Sequence, residues 1–131
     1  MPVALAAVLA VLPAAAARAG AEPPPALIDH VEWVSWDGQP SLRVYPTAAA
    51  RVAAARFGTL PQAEQAWAEV LAQTPDAASP GMREQFNCHW EFAELAQPGK
   101  TSWNLEPWRP VVDGVTMLES GCNPGAAEEA F

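Results

Sequence analysis

The sequence predicts an α+β domain: a small, mostly antiparallel sheet of two hairpins, with two or three helices packed on one face and one disulfide. Three observations predict it. Residues 28–45 are rich in β-branched and aromatic side chains around a strong turn signal. Residues 62–73 place apolar side chains at three- and four-residue steps, and residues 86–92 alternate apolar with polar.

Composition bounds the rest. A chain of 131 residues is one domain at most. Half of it is apolar, but many of those residues are alanines in the first twenty positions, so the folded part is poorer in core material. A domain of roughly 100 residues gains materially from a covalent cross-link. The net charge of -8, from 15 acids against 7 bases, opposes phosphate backbones and anionic lipid, which excludes nucleic acid as a partner.

In chain order, residues 1–19 read as a secretory signal peptide. Val3 to Ala17 is an apolar run of about fifteen residues leading to the small-x-small pattern Ala17-Arg18-Ala19, with cleavage after Ala19 and Ala21 as the alternative. No Lys or Arg precedes the run, so the amino terminus supplies its positive charge. It falls short of the ~20 apolar residues of a membrane span, and its removal leaves no integral membrane segment. The mature protein is then secreted or associated with the cell envelope. Residues 20–27 form a Pro-rich spacer around Glu22-Pro23-Pro24-Pro25.

Residues 28–124 are the single domain. Val31 to Trp36 and Ser41 to Tyr45 pair around Asp37-Gly38-Gln39-Pro40. Trp33 and Trp36 fall on opposite faces of that first strand. His30 has no second ligand at metal spacing and reads as a surface histidine. Thr47 is suited to cap a helix from Ala48 to Arg56, anchored by Val52 and Phe57 and ended by Gly58. Arg43, Arg51 and Arg56 are a conceivable anion site, but in so acidic a chain pairing with carboxylates is the expectation. Gln62 to Gln73 is a helix with Ala63, Ala66, Trp67, Val70 and Leu71 on one stripe and Glu64, Gln65 and Glu69 off it.

Phe86, Cys88, Trp90 and Phe92 alternate with Asn87, His89 and Glu91, which predicts a strand with its apolar face on the core. Pro98-Gly99 turns the chain, and Lys100 to Leu105 returns as the partner strand of this second hairpin, about 85–105. Pro107 and Pro110 mark an extended piece, Asp113 is placed to cap a short helix through Glu119, and residues 125–131 form an acidic flexible tail.

The two cysteines of an exported chain imply one disulfide, Cys88 to Cys122, contributing roughly 3–4 kcal/mol. A metal site of Cys88, His89 and Cys122 is disfavoured, because neighbours on a strand point to opposite faces.

Ser41 to Thr47, the Gln85-Phe86-Asn87-Cys88-His89 segment, the block Trp103-Asn104-Leu105-Glu106-Pro107-Trp108-Arg109-Pro110 and the closing Gly121-Cys122-Asn123-Pro124 together resemble the bacterial secreted family known as domain of unknown function 2599. The resemblance spans about residues 28–124, and the Trp103–Pro110 block is its specific part. It implies a small exported domain, often actinobacterial, and it implies no reaction and no catalytic residues.

Two sets of residues carry possible chemistry. In the first, prolines stiffen a binding edge of Trp103, Glu106, Trp108 and Arg109, with Trp108 a stacking face and Arg109 a fork for carboxylate or phosphate. The competing reading makes both indoles core and pairs Arg109 with Glu106. In the second, His89 and Glu91, roughly 7 Å apart on one strand face, meet Glu106 in a hydrolase-like arrangement. The sequence contains no nucleophile elbow, zinc-protease helix, phosphate loop or cofactor motif. The function predicted is an exported binding module for a protein or a cell-wall glycan. The alternatives are a hydrolase of cell-envelope material and an inhibitor of a secreted enzyme.

Overall fold

A computed structural model describes residues 22–129 together with residues 2–4, 7, 10 and 11. The expected cleavage site at Ala17-Arg18-Ala19 lies outside the described residues. Among the described residues the fold is α+β, a three-stranded antiparallel sheet in the order β1-β2-β3 with four α-helices. No helix among the described residues is long and apolar enough to cross a membrane.

Strands β1 (Ile28–Trp36) and β2 (Gln39–Pro46) form the first hairpin, with Val31 opposite Val44 and Trp33 opposite Leu42. Its turn places both Asp37 and Gly38 at positive φ, 52° and 73°. That pair of conformations matches the twist of the flanking strands, and Asp-Gly adopts it readily. Thr47 then caps α1 (Ala48–Ala54), accepting from the Ala50 amide at 3.1 Å. The anchors of α1 are not those predicted. Ala50 and Ala54 are buried, whereas Val52 and Phe57 are exposed, because small side chains let this short helix lie close to its neighbours.

Helix α2 (Leu60–Gln73) buries Ala63, Ala66, Trp67 and Val70, the predicted stripe, with Leu71 partly buried beside it. Glu69, off that stripe, accepts from the amides of Leu27 and Ile28 at 2.9 and 3.2 Å and so fixes the start of β1.

The main correction concerns residues 86–92. They lie within α3 (Met82–Ala96), a 15-residue helix, and no second hairpin exists among the described residues. The seven-residue alternation arises from two buried faces of one helix. Over the full length, Met82, Phe86, Trp90 and Ala93 recur at helical steps and pack on the core, while Cys88 and Phe92 turn toward a second small cluster with Met117 and Val112. The partner of β2 is instead β3 (Trp103–Leu105), with Val44 opposite Trp103 and Leu42 opposite Leu105. These four side chains are fully buried, and Phe86 meets Trp67, Trp90 and Trp103 at centroid distances of 5.4, 6.4 and 6.1 Å.

Asp113 caps α4 (Gly114–Glu119) by accepting from the Thr116 amide at 2.8 Å, as predicted. The disulfide Cys88–Cys122 joins α3 to the segment after α4. Residues 125–129, expected to be a flexible tail, dock instead. Ala126 offers its carbonyl to Arg109, Glu128 pairs with Lys100, and Glu129 pairs with Arg43 of β2. Buried cations recruit this acidic segment, which a reading by composition alone assigned to solvent.

Candidate functional site

The Trp103–Pro110 block and α3 meet in a buried polar network. Gln85, in the first turns of α3, is fully buried. Its side-chain amide donates to the Glu106 carbonyl and accepts from the Glu106 amide, both at 2.9 Å. The Glu106 carboxylate accepts from Ser41 Oγ at 2.9 Å and from Arg109 Nε and Nη2 at 3.0 and 2.9 Å. Arg109 also donates to the carbonyls of Pro124 and Ala126. Both members of the Glu106–Arg109 pair are almost wholly buried, so each neutralises the other where water cannot. Removal of one partner alone from such a pair typically costs about 3–5 kcal/mol.

The network ends at two surfaces. On one side, the Arg109 guanidinium lies 4.5 Å from the centroid of the Trp108 ring. Trp108 is half-buried, and its Nε1 donates to the Pro40 carbonyl at 3.1 Å. Trp36, half-buried at the end of β1, approaches it with ring centroids 6.5 Å apart and planes inclined by 42°.

On the other side, the Gln85 carbonyl accepts from His89 Nδ1 at 2.8 Å. His89 is buried, and desolvation, reinforced by the charges of Lys100 and Arg109, lowers its pKa from 6.5 to about 4 despite that hydrogen bond. At neutral pH the ring is therefore uncharged, and with its proton on Nδ1 its other nitrogen is an acceptor. His89 lines an open cavity of about 400 Å³ between α3 and α4. Phe92, Leu95 and Leu118 supply apolar wall, and Lys100 and Glu128 supply charge. Burial also lowers the Lys100 pKa, against the raising effect of Glu106.

The predicted residues divide accordingly. Trp103, Glu106 and Arg109 are buried, so the proposed fork of Arg109 faces Glu106 and the chain's own carbonyls, and Trp103 belongs to the core. Trp108 alone of that set reaches solvent. The catalytic arrangement of His89, Glu91 and Glu106 is not brought together. On a helix, residues two apart point to nearly opposite sides, so Glu91 is exposed away from the buried His89. Glu106 is committed to Ser41 and Arg109. Arg51 pairs with Glu94 and the Lys100 carbonyl, and Arg43 with Glu129, so the arginines do not converge on an anion site. No group of three metal-ligating side chains occurs among the described residues.

Ser41, Gln85, Lys100 and Glu128 were missed as site residues. Gln85 and His89 are one helical turn apart, a signal visible only once 82–96 is read as helix. Ser41 and Glu106 are 65 positions apart, and no local pattern announces them.

A family model described as protein of unknown function (DUF2599) matches residues 28–125. Uncharacterized proteins of Mycobacterium tuberculosis and Mycobacterium bovis are each 61% identical over 107 residues, which cover 82% of this chain and 72% of the relative. One from Mycobacterium leprae is 43% identical over 101 residues, covering 77% of this chain and 81% of its own length. No solved structure matches the chain.

Proposed function

Because the chain belongs to the DUF2599 family, described only by its unknown function, we propose from its geometry that it is an exported binding module holding a cell-wall glycan against the Trp36–Trp108 pair. The observation that carries this reading is how Trp108 is held. Its indole nitrogen is tethered to the Pro40 carbonyl and its ring is backed by the Arg109 guanidinium, yet the side chain still reaches solvent. A ring fixed before its partner arrives loses little freedom on binding.

Two inclined indoles offer flat apolar faces to the C–H-bearing faces of sugar rings, and exposed Asp37 and Gln39 beside them offer hydrogen-bonding groups to hydroxyls. In this reading Glu106 and Arg109 position Trp108, and Trp103 anchors the strand that leads into them. The disulfide and the signal-like leader fit a protein that works outside the cytoplasm. No specific observation favours a hydrolase.

Co-sedimentation with insoluble cell-wall material tests the proposal. Trp36→Ala and Trp108→Ala, checked for native folding by circular dichroism, are each expected to weaken binding by about tenfold, the scale of one lost stacking contact. Folded variants that sediment like the unchanged protein would sink it.

A further inference from the structure

We propose that the cavity between α3 and α4 is a second ligand site, separate from the indole pair, and that it takes an aliphatic monocarboxylate whose carboxylate displaces Glu128 from Lys100. The walls set the body of the ligand. Phe92, Ala93, Leu95, Ala96 and Leu118 line the cavity, and Leu95 and Leu118 are more than half exposed, an apolar surface left open to water. A volume of about 400 Å³ lies in the range of small-molecule sites.

The charges set the head group. Lys100 is the only cation on the lining among the described residues, and its side chain is 9% exposed. An ammonium so desolvated needs an anion beside it, and here a carboxylate fills that role, Glu128 of the C-terminal segment. Glu128 is 25% exposed, so it can turn to water while a ligand carboxylate takes its place. That exchange swaps like for like, with no new desolvation of Lys100. Neutral His89 adds no second positive charge, so a monocarboxylate matches the cavity and a dicarboxylate does not. Its acceptor nitrogen favours a ligand hydroxyl or amide N–H nearby.

Isothermal titration of the full chain with decanoate, decanol and sebacate reads each part of the proposal. Decanoate is expected to bind at least about tenfold more tightly than decanol, the scale of a charge-assisted hydrogen bond, and sebacate more weakly than decanoate. Lys100→Met, which keeps the aliphatic stem, is expected to abolish the preference for decanoate while leaving decanol binding unchanged. Glu128→Gln removes one internal competitor, and decanoate is expected to bind roughly two- to fivefold more tightly, as loss of a partly exposed ion pair implies. Equal binding of decanoate and decanol overturns the proposal. So does an unchanged or weakened decanoate affinity in Glu128→Gln, a variant at a surface position that tests the idea even if Lys100→Met fails to fold. Trp108→Ala is expected to bind decanoate normally, so failure here and failure of the glycan reading are separate results.

Discussion

His89 shows how one side chain links stability to pH. In the unfolded chain its imidazole takes up a proton near pH 6.5, whereas in the folded protein it does so only near pH 4. Between those values the unfolded state binds more protons, so acidification favours unfolding, and the stabilisation is complete only above about pH 6.5. The size is up to about 3 kcal/mol. Lys100 and Arg109 press in the same direction as burial, and Glu128 stands on the same cavity. Urea unfolding at pH 7 and pH 4.5 checks this: the unchanged protein is expected to lose more stability over that interval than His89→Gln, and equal losses would assign the acid sensitivity elsewhere. His89 stood out in the sequence as a rare residue in a distinctive segment. Its environment did not, because that depends on Gln85 one turn earlier and on Lys100 beyond the end of the helix.

The β1–β2 hairpin, α2 and the Asp113 cap were legible because the physics that makes each is local: turn residues, an apolar stripe, a capping carboxylate. Helix α3 was not. Its Phe86, Cys88, Trp90 and Phe92 satisfy a period of two because the helix is buried toward two different neighbours, the main core and the α4 cluster. Two apolar faces blur the single stripe on which periodicity depends. The C-terminal segment was equally hidden, since its partners Arg109, Arg43 and Lys100 are distant in sequence. Gly125 controls how it docks. It sits at φ +93°, and a Cβ there would lie 2.7 Å from Pro110 Cδ. Gly125→Ala is expected to lift residues 124–129 from the sheet, deprive Arg109 of carbonyl acceptors and cost about 1–3 kcal/mol. Limited proteolysis and a thermal melt check it; cleavage and melting like those of the unchanged protein would contradict the docking.

For the molecule as a whole, the disulfide is the one covalent cross-link among the described residues. It closes a separation of 34 residues and joins α3 to the segment that carries the Arg109 and Lys100 partners. The pairing was readable from the even cysteine count, while the surface it supports was not. Reduction, or the double change Cys88→Ala and Cys122→Ala, is expected to lower unfolding free energy by about 3–4 kcal/mol in urea titrations; an unchanged midpoint would show that the cross-link constrains little. The way the sheet ends carries a different consequence. The three residues of β3 are buried, and just beyond them the Gln85 amide of α3 occupies both backbone groups of Glu106 as a neighbouring strand would. On the other side, β1 has nine residues and no further strand beside it among the described residues. Gln85 thus closes the sheet just past β3 with a side chain in place of a further strand.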